Sequence, residues 1–102
     1  GHAFLAVRLP GEPKPLVFGF GPLGEPSPAA VLTGFAAGSV HQETQYDLLD
    51  PTNEVLLTFR FTAEQLTRAY LYAERNFENQ YSLLTYNCVV FARDFIAAGL
   101  GT

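Results

Sequence analysis

The stretch Leu84-Thr85-Tyr86-Asn87-Cys88-Val89-Val90-Phe91-Ala92-Arg93-Asp94-Phe95-Ile96 constrains this chain more than any other: an N-cap residue, the only cysteine and an apolar run follow one another without a break. Asn is a favoured N-cap type, so Asn87 predicts a helix whose first position is Cys88. Only Arg93 and Asp94 interrupt the apolar run, which assigns the helix to a core. A thiol at that first position meets the positive end of the helix dipole and the unpaired N–H groups of the first turn, both of which favour the thiolate. Reactive cysteines are made in this way. The competing reading is packing, since a free cysteine is among the most buried residue types and behaves as a small hydrophobe.

One cysteine in 102 residues excludes an intramolecular disulfide and a cysteine-rich zinc site. The thiol, if it has a chemical role, is a nucleophile or a redox group; no metal and no cofactor is implied. The length fits one domain over residues 1–102, large enough to bury a core without staples. A net charge of −4, with six Lys and Arg scattered singly, argues against a nucleic-acid partner. No apolar run approaches the roughly 20 residues that span a bilayer, and no leader pattern opens the chain, so no transmembrane segment and a soluble domain are expected. Because the first residues already read as a strand, the expectation is a domain cut from a longer chain.

Ala3 to Leu9 is a short apolar run closed by Pro10-Gly11, a strand and a turn. Leu16-Val17-Phe18-Gly19-Phe20 predicts a second strand, paired antiparallel with the first. Gly21 to Ala30, rich in Gly, Pro and Ser, predicts a surface loop able to overhang a site. Gly34 to Gly38 takes no assignment. Gly38 to Leu49 reads as a strand with Val40, Gln42 and Thr44 on one face and His41, Glu43 and Gln45 on the other. Asp50-Pro51-Thr52-Asn53 is a turn, and Val55 to Phe61 a strand rich in β-branched and aromatic residues. Thr62-Ala63-Glu64-Gln65 matches a capping box, and Leu66, Ala69, Tyr70, Ala73 and Phe77 follow at helical spacing. Glu64 and Arg68 stand at i,i+4 for an ion pair. The cysteine helix should stop at Gly99, with Leu100 available for the accompanying apolar contact. The order predicts an α+β fold, an antiparallel β-sheet with packed helices.

A cysteine nucleophile needs a base to take its proton, and His2 and His41 are the only histidines. His2 is favoured, at the mouth of a strand between the small residues Gly1 and Ala3, although a Gly-His at a chain start is also a common tag remnant. Gln42, Glu43 and Asp47 are candidates to orient the imidazole; alternate pointing forbids Gln42 and Glu43 from facing one site together. Asp94, six residues after Cys88, lies well over a turn down the helix and reads as a surface residue.

Gly1-His2-Ala3-Phe4-Leu5-Ala6-Val7 and Tyr81-Ser82-Leu83-Leu84-Thr85-Tyr86-Asn87-Cys88-Val89-Val90-Phe91-Ala92 resemble the His-strand and Asn-Cys-helix signatures of circularly permuted papain-like proteins. That set includes permuted NlpC/P60 peptidases, lecithin:retinol acyltransferase relatives and several bacterial toxin domains; histidine precedes cysteine in it, as here. The resemblance covers nearly the whole chain. It implies a permuted papain-like, NlpC/P60-like fold, Cys88 as nucleophile, His2 as base and a polar third residue on a following strand. Leu16 to Phe20 carries no polar side chain, which moves that third member to His41, Gln42 or Glu43. The implied activity is that of a cysteine hydrolase, a peptidase or amidase working through a thioester, with Asn87 and the Cys88 backbone N–H at the oxyanion site. Peptide, peptidoglycan or acyl compounds are the implied substrates. A delivered bacterial effector, held in check by an immunity protein, is the implied setting. An acyltransferase or phospholipase of the lecithin:retinol acyltransferase kind is the alternative; it requires an exposed apolar patch, for which Phe18 to Leu23 and Phe35 are the candidates. A non-catalytic binding or structural domain with a packed cysteine is the other.

Overall fold

Phe18 and Phe20 are two residues apart, so in an extended chain both rings leave the same face, and the fold is assembled on that face. A computed structural model describes residues 3–33, 36–42, 57–82 and 85–102. Strand β1, Leu5–Val7, pairs antiparallel with β2, Leu16–Pro22, bringing Leu5 opposite Phe18. Between them the chain reverses at Pro10-Gly11, where Glu12 donates its N–H to the Leu9 carbonyl at 3.1 Å. Strand β3, Ala36–Gln42, pairs antiparallel with β2, and β4, Gln80–Tyr81, with β3, giving a sheet in the order β1-β2-β3-β4.

Two helices cover the phenylalanine face. Helix α2, Ala63–Arg75, starts as its sequence predicts: Thr62 Oγ1 accepts the Gln65 N–H at 3.1 Å and Gln65 Oε1 accepts the Thr62 N–H at 2.8 Å. The Glu64–Arg68 ion pair forms at 3.3 Å on the exposed side, where it is worth a few tenths of a kcal/mol, about 0.3–0.5. Ala69 is buried and Leu66, Tyr70 and Ala73 pack on the core, but the helix ends at Arg75 and leaves Phe77 beyond its last turn and exposed. Helix α3, Cys88–Leu100, presents Cys88, Phe91, Phe95 and Gly99 as one buried stripe at spacings of three and four. Phe20, with none of its surface exposed, is the hub: its ring stacks on Phe91 at 5.4 Å and on Tyr81 at 6.0 Å and takes the edge of Tyr86 at 5.1 Å. Phe18 meets Phe95 edge-on at 5.5 Å.

Several segments depart from the sequence expectation. Residues 21–30 are not a continuous loop. Strand β2 runs on through Gly21 and Pro22, paired with Ser39 and Gly38, and Pro28–Thr33 forms helix α1. Pro22 is tolerated because the neighbouring Leu23 N–H points to β3, at 2.8 Å from the Ala37 carbonyl, so the N–H that proline lacks would face the other side, past the end of β1. Ser27 caps α1, its Oγ accepting the Ala30 N–H at 3.2 Å, with Pro28 at the first helical position. The unassigned Gly34 to Gly38 stretch supplies the first residues of β3, Ala36 to Gly38. Gly38 has to be glycine: a Cβ there would strike the Asn79 carbonyl oxygen and the Phe20 ring.

The strand expected over Val55 to Phe61 fails where it is described, since residues 57–61 lie in no strand. Aromatic and β-branched runs need a neighbouring strand to become sheet; here Phe61 packs instead on Gly99 of α3, a Cβ on which would fall 2.6 Å from its ring, while Leu57 and Phe59 stay exposed. That contact also explains why Gly99 is not the stop of α3. The helix continues to Leu100 and ends on Gly101 in the left-handed region at φ 81°, whose N–H reaches the Ala97 carbonyl at 2.9 Å. The remainder of the Gly38 to Leu49 strand, the turn at residues 50–53, and Val55 and Leu56 lie outside the described residues.

Candidate active site

Asn87 starts α3 by accepting the N–H groups of both Val89 and Val90 on its Oδ1, each at 3.1 Å, with its own backbone extended. Its carbonyl takes the Phe91 N–H at 3.0 Å. Cys88 is therefore the first helical residue, and its side chain opens the core-facing stripe rather than the solvent face: 6% of its surface is exposed. The β1–β2 register, continued past Leu5, brings Ala3 level with Phe20, and Phe20 stacks on Phe91 one turn below Cys88. The result is a contact across 85 residues of sequence, the Ala3 N–H donating to Cys88 Sγ at 3.3 Å.

His2, the residue before Ala3, lies outside the described residues, as does Glu43. His41 is not brought to Cys88. It stands opposite Gly19 in β3, and its ring lies over Gly21, where a Cβ would come within 2.8 Å of its Cε1. Gly19 and Gly21 alternate with Phe18 and Phe20, so His41 is on the sheet face away from α3. Gln42 is in register with Phe18. Asp47 is outside the described residues. Asp94 is a half-exposed residue of α3 whose Oδ1 accepts from Arg93 Nε at 3.0 Å, in keeping with a surface role. Phe18 and Phe20, candidates for a membrane-docking patch, are core residues; of that stretch Leu23 is the large apolar side chain left exposed, and Phe35 lies outside the described residues. No helix among the described residues is long and apolar enough to cross a membrane, and no group of three or more metal-ligating side chains gathers among them.

The sequence reading missed the tyrosines around the thiol. The Tyr72 and Tyr86 hydroxyls meet at 2.5 Å, joining α2 to the residue before the N-cap. Ser82 and Tyr86 exchange both backbone hydrogen bonds, at 2.7 and 3.1 Å, just ahead of Asn87. Tyr81 is buried, and its phenol is pushed up first by that burial and then by its electrostatic interaction with Cys88. The signal was present as two tyrosines within eight residues of Cys88 and two on α2, but periodicity alone cannot separate a buried phenol from an exposed one.

Burial raises Tyr70, Tyr72, Tyr81 and Tyr86 alike, and in Tyr72 the bond to Tyr86 adds to it. A phenol whose folded pKa lies above its unfolded value of about 10 contributes stability that is complete below pH 10 and is lost as pH rises from there towards the folded value. An alkaline absorbance titration should therefore show most of the five tyrosines ionising later in the folded chain than in denaturant, with the thermal midpoint falling above pH 10. All five titrating together near pH 10 in the folded chain would contradict the burial described for Tyr70, Tyr72, Tyr81 and Tyr86.

No protein-family model, curated protein or solved structure matches this chain.

Proposed function

We propose that this domain is a cysteine-dependent acyl-transfer enzyme, a hydrolase with Cys88 as nucleophile and His2 as its base. One observation carries the reading: the residue that follows His2 donates its backbone N–H to the Cys88 sulfur at 3.3 Å, although 85 residues separate them. The α+β architecture, with an N-capped cysteine helix packed on an antiparallel sheet, is compatible with the permuted papain-like resemblance.

The Cys88 thiol gives its proton to the His2 imidazole, and the sulfur forms a bond to a substrate carbonyl carbon, moving the carbonyl electron pair onto oxygen. Asn87 occupies the Val89 and Val90 N–H groups and its carbonyl occupies that of Phe91, which leaves the Cys88 N–H as the first-turn donor for that oxyanion. Collapse breaks the bond to the leaving group, which departs with the proton from His2. Water, giving a proton to His2, then attacks the thioester carbonyl; the carbon–sulfur bond breaks, the carboxylic acid leaves, and the proton returns from His2 to sulfur. Amide carbonyls of peptide or peptidoglycan, and acyl esters, are the substrate classes this sequence serves. Burial of Phe18 and Phe20 removes most of the apolar patch that a lipid-docking transferase would need, so hydrolysis is preferred.

A second reading has its own observation. Cys88 lies on the buried stripe with 6% of its surface exposed, as a packing residue would. Exposure to p-nitrophenyl acetate separates the two. The enzyme reading predicts a burst of nitrophenolate and one hydroxylamine-labile acetyl group on Cys88, absent in Cys88→Ala; a folded chain that never acylates supports the packed cysteine and overturns the enzyme.

A further inference from the structure

We propose that the Tyr72–Tyr86 hydroxyl pair is the device that sets the position of Cys88 against the β1 end of the sheet, making both tyrosines positioning residues for the thiol reaction. The inference rests on the reading of Cys88 as nucleophile. Asn87 fixes where α3 begins along its own chain, but its bonds to Val89 and Val90 are internal to the helix and do not locate it on the sheet. The residue before it is tied to both the sheet and α2. Tyr86 is held from three directions: its hydroxyl by Tyr72 of α2, its ring by the Phe20 face of β2 at 5.1 Å, and its backbone by Ser82.

Why the pair consists of tyrosines follows from the cost of polar burial. Phenylalanine at either place would fill the same space, and a half-buried hydroxyl is unfavourable unless it has a partner. Two hydroxyls that satisfy one another restrict relative position as well as filling volume. A second tie joins α2 to α3 itself: Arg68, one turn before Tyr72 on α2, donates through Nη2 to the Gly99 carbonyl at 2.9 Å. Gly99 is eleven residues beyond Cys88, about 16 Å along a helix axis, so this tie holds the helix pair together without touching the geometry at Sγ. The two ties therefore provide a matched comparison, one next to the thiol and one remote from it.

The test is a double-mutant cycle on the rate of Cys88 alkylation by iodoacetamide, at a temperature where circular dichroism shows every variant folded. Tyr72→Phe and Arg68→Ala are each made with His2 present and with His2→Ala. With positioning, Tyr72→Phe shrinks the rate penalty of His2→Ala by about threefold or more, and Tyr86→Phe does the same, whereas Arg68→Ala lowers the thermal midpoint and leaves that penalty unchanged. A His2 penalty that survives both tyrosine variants, or that Arg68→Ala shrinks equally, overturns the positioning role and leaves the dyad standing. A parent chain whose alkylation is indifferent to His2 overturns the dyad, and the positioning role with it.

Discussion

Replacing Phe20 with alanine is expected to remove most of the stability of this domain. Truncating a buried phenylalanine costs about 3–5 kcal/mol, against a total of about 5–15 kcal/mol for a domain of this size. Phe20 belongs at the upper end because its ring contacts Phe91, Tyr81 and Tyr86, which come from three separate segments and cannot close on the space together. Gly38, already pressed against the Phe20 ring, has no side chain with which to fill it. The measurement is the urea midpoint. With a slope of about 1–3 kcal/mol per molar, the midpoint should fall by at least about 1 M, or the variant should be unfolded without denaturant. A shift no larger than that of an exposed substitution such as Leu71→Ala would mean that the aromatic hub is not where the core is.

The second large effect concerns catalysis. Under the proposed dyad His2 is a general base, a role that contributes about 10²- to 10⁴-fold, so His2→Ala should slow acylation of Cys88 by that range while leaving the urea midpoint nearly unchanged. Cys88→Ala should abolish acylation altogether. Cys88→Ala should also be tolerated structurally, since the stripe position it occupies one turn before Phe91 accepts a smaller apolar residue at the modest cost of one buried sulfur. The combination distinguishes a chemical role from packing, because a packing cysteine would lose stability without a change in any reaction. Substituting His41 should leave acylation alone, its ring lying over Gly21 on the far sheet face.

What the sequence made legible were features determined within a few residues. The Thr62–Gln65 capping box, the Asn87 cap and the Glu64–Arg68 pair are local geometry, and all three form. The β1–β2 hairpin was legible because its strands are near neighbours in sequence with opposed apolar runs. Composition misled between Gly21 and Pro28: richness in Gly, Pro and Ser concealed a Ser-Pro helix start at Ser27 and a proline that closes strand β2 opposite Gly38. Propensity misled at residues 57–61, because whether a β-prone run becomes a strand depends on a partner that sequence does not supply. Gly99 looked like a helix stop for want of any sign that Phe61 needed the space. At the site, Cys88 and its helix start were legible; the Ala3 N–H contact with its sulfur was not, since 85 residues separate the two. The tyrosines were not, since their hydroxyl contacts join α2 to a loop fourteen residues away.

The most direct measurement is the rate at which iodoacetamide alkylates Cys88 in the folded chain, compared with the same chain in denaturant at the same pH and with folded His2→Ala. The Cys88–His2 dyad predicts a folded thiol that reacts faster than the denatured one and loses that advantage when His2 is replaced. A folded thiol that reacts more slowly than the denatured one and is indifferent to His2 would contradict it, leaving Cys88 as a packed residue at the head of its helix.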